Sequence, residues 1–184
     1  MGQQYQVPEL TGLSRRESDF VRASAERAQR MAEAGEPLGD VLSQLTAAIE
    51  TLSEGRTVAS ILVLDGDGLL RNGASPNLPA DYLHAIDRLK PDARVGTCAA
   101  AAATGEIVET PNFFDDERWS ELRHLPMALG FLGAWSMPIK AGDRVLGTFG
   151  TYFREHRAPS ATERQAVALL AGVAAKAIEM RAAG

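Results

Sequence analysis

The sequence predicts an α+β fold in which a central antiparallel β-sheet is covered by helices from the two chain ends. Three observations lead there. Apolar residues recur three or four apart in the stretches before Leu52 and after Ser160, the period of amphipathic helices. Two segments, TVASILVLDGDGLLRNGAS and FLGAWSMPIK–AGDR–VLGTFGTYFRE, read as hairpins, whose tight turns make their strands antiparallel. The helices also cluster at the ends of the chain instead of alternating with strands, which is the α+β order.

Residues 1–13 read as a polar, flexible lead. Ser14 caps a helix over about 14–34, and Glu17 three residues on completes a capping box. Phe20, Val21, Ala25, Ala28 and Met31 form a thin apolar stripe among many charges, and Gly35 ends the helix. A stripe that thin points to a partner helix, so 14–36 is expected to serve dimerisation. Pro37 opens a second helix, with Val41, Leu42, Leu45, Ala48, Ile49 and Leu52 on one face and Gly55 at its end. Val58 to Leu64 is apolar on both faces, hence a central strand, and DGDG is its turn. Leu78 to Leu89 is a short helix after Pro76 and Pro79. Gly96-Thr97 start a small alanine-rich helix that Gly105 stops, and EIVE returns as a short strand. TPNFFDDERW is a loop whose Asp115-Asp116 cap a helix over about 117–128. Pro159-Ser160 introduce the last helix, to about residue 182, lined by Val167, Leu170, Ala171, Ala174 and Ile178.

Composition excludes several functions. The 184 residues carry a net charge of −5, and Lys and Arg never cluster beyond pairs. A duplex-binding face or an anionic membrane surface needs many cations together, so no direct nucleic-acid or membrane partner is expected. One cysteine forbids an intrachain disulfide or a thiolate zinc cage and fits a reducing compartment. The N-terminus has no signal-peptide pattern and Gln6 breaks the myristoylation pattern, so a cytoplasmic location is expected.

Four pieces in order, GTCAAAAATGEIVET, FFDDERW, GFLGAWSMPIKAGDRVLGTFGTYFRE and RAPSATERQAVALLAGVAAKAIEMR, resemble the GAF domain, a small-molecule sensory module of bacterial signalling proteins. The third piece resembles the variant tied to sensor kinases and second-messenger enzymes. The resemblance covers about 40–182 and assigns 37–184 to the GAF domain. It implies a sheet with the terminal helices on one face and, on the other, a ligand pocket roofed by 97–104 and 110–130. Pairing of the terminal helices in such modules implies a homodimer and a downstream signalling protein or domain. The family usually has Cys-Gly where this chain has Cys98-Ala99.

The expected function is non-catalytic binding of an unidentified small molecule, with the change passed on through the end helices. Phe113, Phe114, Trp119, Leu122, Met127, Phe131 and Trp135 concentrate where the resemblance puts the roof, and five of the chain's eleven aromatics fall there. Trp119 and Trp135 stand out because an indole N–H wants a partner, so Trp135→Ala is expected to weaken binding more than Cys98→Ser. Two alternatives invoke chemistry. His124, in RHLPM, would be the axial ligand of a haem-based gas or redox sensor. Cys98 resembles a cysteine of the GAF enzymes that reduce free methionine sulfoxide, but no second cysteine can resolve the oxidised thiol, and Cys98 reads as a packing residue. Asp115-Asp116-Glu117 reads as a helix cap rather than a Mg²⁺ site.

Overall fold

The structure is a computed structural model that describes residues 9–184. Three long helices are laid down first by local chemistry. In α1 (Arg15–Glu33) the Ser14 hydroxyl accepts from the Glu17 N–H while the Glu17 carboxylate accepts from the Ser14 N–H, the predicted capping box. In α6 (Ala161–Ala182) Ser160 and Glu163 repeat the device. Helix α2 (Leu38–Leu52) follows Pro37. Strands β1 (Thr57–Leu64) and β2 (Leu70–Ala74) form the first hairpin; β4 (Gly133–Ala141) and β5 (Arg144–Phe153) form the second. Helix α3 (Ala80–Ala85), helix α4 (Cys98–Thr104), the short strand β3 (Val108–Thr110) and helix α5 (His124–Ala128) lie between them.

The five strands pair antiparallel in the order β2-β1-β5-β4-β3, so the expected α+β architecture is present. Period-two alternation then sorts side chains to two faces. Ala59, Ile61, Trp135, Ile139, Phe149 and Phe153 point at α1, α2 and α6, where Leu42, Leu45, Leu170 and Ala174 complete the main core. Val58, Ser60, Leu62, Ala134, Ser136, Gly150 and Tyr152 take the opposite face, covered by α4 and the irregular segments. Helix α4 sits close there because its residues are small: Ala99 and Ala101 are wholly buried, and a β-carbon on Gly150 beneath it would stand 3.1 Å from Cys98 Sγ. Gly147 admits no side chain at all, since its β-carbon would meet the Leu62 carbonyl oxygen at 2.2 Å.

Three expectations are corrected. Of the lead 1–13, residues 1–8 lie outside the described residues, but the remainder is docked: Leu10 is buried in the main core, and the Gly12 N–H donates to the Gln165 side chain (2.9 Å). Of the thin stripe of α1, Val21, Ala25 and Ala28 are buried against α2 and α6 and Met31 is half-buried there, while Phe20 stays exposed. The small size of Ala25 and Ala28 lets the helices approach closely, so most of the stripe belongs to the core instead of awaiting a partner helix. The helix read over 117–128 is broken into a 3-10 turn (Glu117–Trp119) and α5. Pro126 is the cause, since its ring lacks the N–H that a continuous helix would need.

Candidate functional site

Helix α4 starts the site. Gly96, at φ +53°, turns the chain into it, a conformation open to glycine at little cost. The indole of Trp119 lies against that turn, 3.6 Å from where a Gly96 β-carbon would be, and the Gly96 N–H donates to the Arg118 carbonyl (2.8 Å). Beneath this joint, Leu62, Tyr82, Ile86, Cys98, Trp119 and Tyr152 enclose a small apolar cavity, closed further by Leu89, Leu122 and Leu125. Its volume is about 20 Å³, room for one water molecule. A larger guest requires the roof, α3 and the 120–128 segment, to move outward.

The polar groups around this cavity are few and nearly all buried. Tyr82 donates its hydroxyl proton to the Tyr152 hydroxyl (2.8 Å), with the rings edge to face at 6.0 Å. Burial pushes both phenols above their ordinary value, so both stay protonated. Two hydroxyls that satisfy each other leave one O–H donor over, and none of the described side chains accepts it. Cys98 Sγ lies 3.1 Å from Ser136 Oγ, which donates on to Thr97 Oγ1 (2.9 Å). Burial pushes the Cys98 thiol up as well, with the neighbouring hydroxyls offsetting this only in part. A protonated, fully enclosed thiol is a poor nucleophile.

The roof is pinned at its β3 end. Trp119 Nε1–H donates to Thr110 Oγ1 (3.1 Å), and Thr110 donates to Asp116 Oδ2 (2.5 Å). Arg118 grips the same carboxylate through Nε (2.9 Å) and Nη2 (2.6 Å), and Nη2 also reaches the Glu109 carbonyl (3.0 Å). Burial opposes the Asp116 charge, but Arg118 and Thr110 together hold its carboxyl below the ordinary value. The acidic triplet therefore acts as a cap and a roof clasp: Asp116 accepts the Arg118 N–H, and Asp115 accepts from Asn112 (2.8 Å). Among the described residues no group of three or more His, Cys, Asp and Glu is placed to hold a metal ion.

A five-stranded sheet with terminal helices on one face and an α4-capped cavity on the other is one half of the case for a family; the sequence supplies the other half. The profile of the GAF domain matches residues 35–179. The chain belongs to the GAF domain family. Over 180 residues it is 31% identical to the methyl sulfide methyltransferase-associated sensor of Methanosarcina acetivorans, covering 95% of this chain. It spans 18% of the length of that curated relative. Its fold is similar to the GAF domain from a phosphoenolpyruvate-protein phosphotransferase of Coxiella burnetii (17% identity, TM-score 0.71, 91% of this chain and 98% of that one). It is similar too to the free methionine-R-sulfoxide reductase from Neisseria meningitidis in complex with its substrate (15%, TM-score 0.68, 94% and 96%).

Within this GAF domain the sequence-predicted residues part company. Trp119 and Leu122 line the cavity. Phe113 and Phe131 stand behind them as buried packing, with Phe113 tilted against Trp119 at 4.5 Å and Phe131 against Tyr152 at 5.1 Å; half-buried Met127 packs on the same cluster. Phe114 is 61% exposed, its ring covered on one side by the Arg123 guanidinium at 5.5 Å. Trp135 is on the wrong face: it is wholly buried in the core beneath the terminal helices, so the expected rank of Trp135→Ala over Cys98→Ser loses its basis. His124 is exposed at the start of α5 and takes no part in the lining. With no imidazole among its lining residues, the cavity offers haem iron no histidine ligand. The residues that sequence reasoning missed are Tyr82, Tyr152, Thr97, Ser136 and Leu125. Strand alternation was the available signal, since it separates Trp135 from Ser136 and Tyr152 from Phe153. Among the described residues no helix is long and apolar enough to cross a membrane.

Proposed function

We propose that this GAF domain is a non-catalytic sensory module that takes a small, uncharged, mainly apolar molecule into the cavity beneath α4. The observation that carries the reading is the cavity itself: apolar walls, one phenolic O–H to spare and no charged side chain among its lining residues. Such walls favour a neutral guest with one weak acceptor atom, because a charge there would be desolvated without a partner. The fold it shares with a reductase adds nothing catalytic, since Cys98 is enclosed, protonated and without a second thiol. Guest entry displaces α3 and the 120–128 segment, and the altered roof is passed to α1 and α6, whose exposed Phe20 and Met180 offer apolar contact to a downstream helix.

The methanogen relative is named for its association with a methyl sulfide methyltransferase, which makes dimethyl sulfide the first probe. Native mass spectrometry of the protein as purified should show a small bound molecule, or titration with dimethyl sulfide should raise Tm and change Trp119 fluorescence. No adduct and no response to dimethyl sulfide or to similar small thioethers and alcohols would count against a ligand cavity.

A further inference from the structure

We infer that Glu109, Trp135 and Arg164 form a two-position switch by which the edge strand β3 holds or releases helix α6. Glu109 and Trp135 are direct cross-strand partners on the helix-facing side of the sheet. The indole of Trp135 is wholly buried, and its Nε1–H has no hydrogen-bond partner. Thr151, its partner on the other side, also has a buried hydroxyl without a partner. An unsatisfied buried donor is an expensive thing to keep, and it needs a reason.

The reason lies one strand away. The Glu109 carboxylate stands directly opposite Trp135 in register, and such opposed side chains sit roughly 4.5–5.5 Å apart at Cβ. It is turned instead to Arg164 on α6, with which it forms an ion pair. One carboxylate thus has two claimants. Facing out, it ties α6 to the sheet edge and leaves the indole empty; facing in, it satisfies the indole and frees Arg164. Arg164 is half-exposed and loses little on release, because water replaces its partner. The outward position keeps a screened ion pair; the inward one gains a charge-assisted hydrogen bond but desolvates the carboxylate, so the outward position is the resting one and a shift of β3 is what brings the inward one within reach.

The cavity side supplies that shift. Arg118 Nη2 holds the Glu109 carbonyl while the same guanidinium clasps Asp116, and Thr110, the next residue of β3, takes the Trp119 indole. Moving Trp119 outward pulls on both neighbours of the Glu109 side chain. The regulatory meaning rests on the cavity being the sensory site; the switch itself is read with no ligand present, so the two fail separately.

The test is the indole N–H of Trp135 in nitrogen-15 spectra of the full chain, assigned by Trp135→Phe. In the unsubstituted protein it should resonate as a non-bonded indole. Arg164→Met should move it downfield, slow its hydrogen exchange about tenfold or more, and speed exchange in the first turns of α6. Arg118→Met, which cuts the tether from the roof, should move it in the same direction, whereas Arg164→Lys should leave it in place. The Glu109→Ala/Arg164→Met pair, with no acceptor left, should return it to the non-bonded position, which separates the switch from general loosening. An indole already bonded in the unsubstituted protein, as to a buried water shared with Thr151, would overturn the inference. So would a signal that ignores Arg164→Met or Arg118→Met.

Discussion

Tyr82 and Tyr152 bring the two phenolic hydroxyls to an otherwise apolar cavity, and removing them tests whether the pair is as self-contained as its geometry indicates. Both side chains are about 5% exposed or less, and their oxygens are 2.8 Å apart. Tyr82→Phe deletes one bond of about 0.5–1.5 kcal/mol and strands the Tyr152 hydroxyl, which adds about 1–3 kcal/mol for a buried polar group without a partner. Tyr152→Phe does the same to Tyr82. Each single change should therefore cost about 1.5–4.5 kcal/mol, or about 3–18 °C in Tm for a chain of this size. The double change leaves two rings of unchanged shape and no stranded hydroxyl, so it should cost less than either single one, within about 1 kcal/mol of the parent. Urea and thermal melts of the four proteins close the cycle, with coincident fluorescence and circular-dichroism transitions as the two-state check. A double variant whose loss equals the sum of the singles would refute the reasoning. Each phenol would then have an independent partner, and the cavity would be wet and polar.

Glu163, which is 16% exposed and gripped at 2.7 and 2.8 Å by Arg157, has its carboxyl held below the ordinary value of 4.5; burial opposes this, and Arg157 with the Ser160 cap outweighs it. Its contribution is thus present above the ordinary value and lost as pH falls through the lowered one, so Glu163→Gln should cost about 1–3 kcal/mol at pH 7, with the gap to the parent closing as pH falls below the ordinary value in urea melts. Cys98 should react with a thiol reagent only through opening, at least about a hundredfold more slowly than in denatured protein; labelling at the rate of a free thiol would contradict its burial. Trp119→Phe should weaken dimethyl sulfide binding at least about fivefold by removing the roof's bond to Thr110, whereas Trp135→Phe should leave it within about twofold, as read by calorimetry. The reverse order would put the guest on the helix side of the sheet.

The capping boxes at Ser14 and Ser160, the helical stripes and the DGDG turn were legible because each is a local pattern whose physics lies within a few residues. The broken 117–128 segment was legible too, through Pro126, but a caps-only reading passed over it. The site was harder because it is a matter of faces. Aromatic residues clustered in sequence at 113–135 are divided by the pleat of β4: Trp135 and Ala134 are neighbours in the chain and on opposite sides of the sheet. Tyr82 and Tyr152 are 70 residues apart and meet only through the fold. The stripe of α1 misled for another reason, since small residues such as Ala25 and Ala28 bury as completely as large ones when a neighbouring helix comes close.

On the proposed reading, a signal from the cavity to α6 would have to cross the sheet, and the strands differ in how easily they give. β1, β5 and β4 are hydrogen-bonded along both edges, so displacing any of them breaks two ladders. Gly147 shows how tightly the central pair is set, with no space even for a β-carbon. β3 is three residues long, bonded on one edge only, and carries Thr110 toward the cavity and Glu109 toward α6. A shift of β3 therefore reaches both faces for the loss of a few backbone bonds. Under the proposed sensory reading, the residues placed to couple cavity and helix are therefore the two adjacent ones whose side chains the pleat sends in opposite directions.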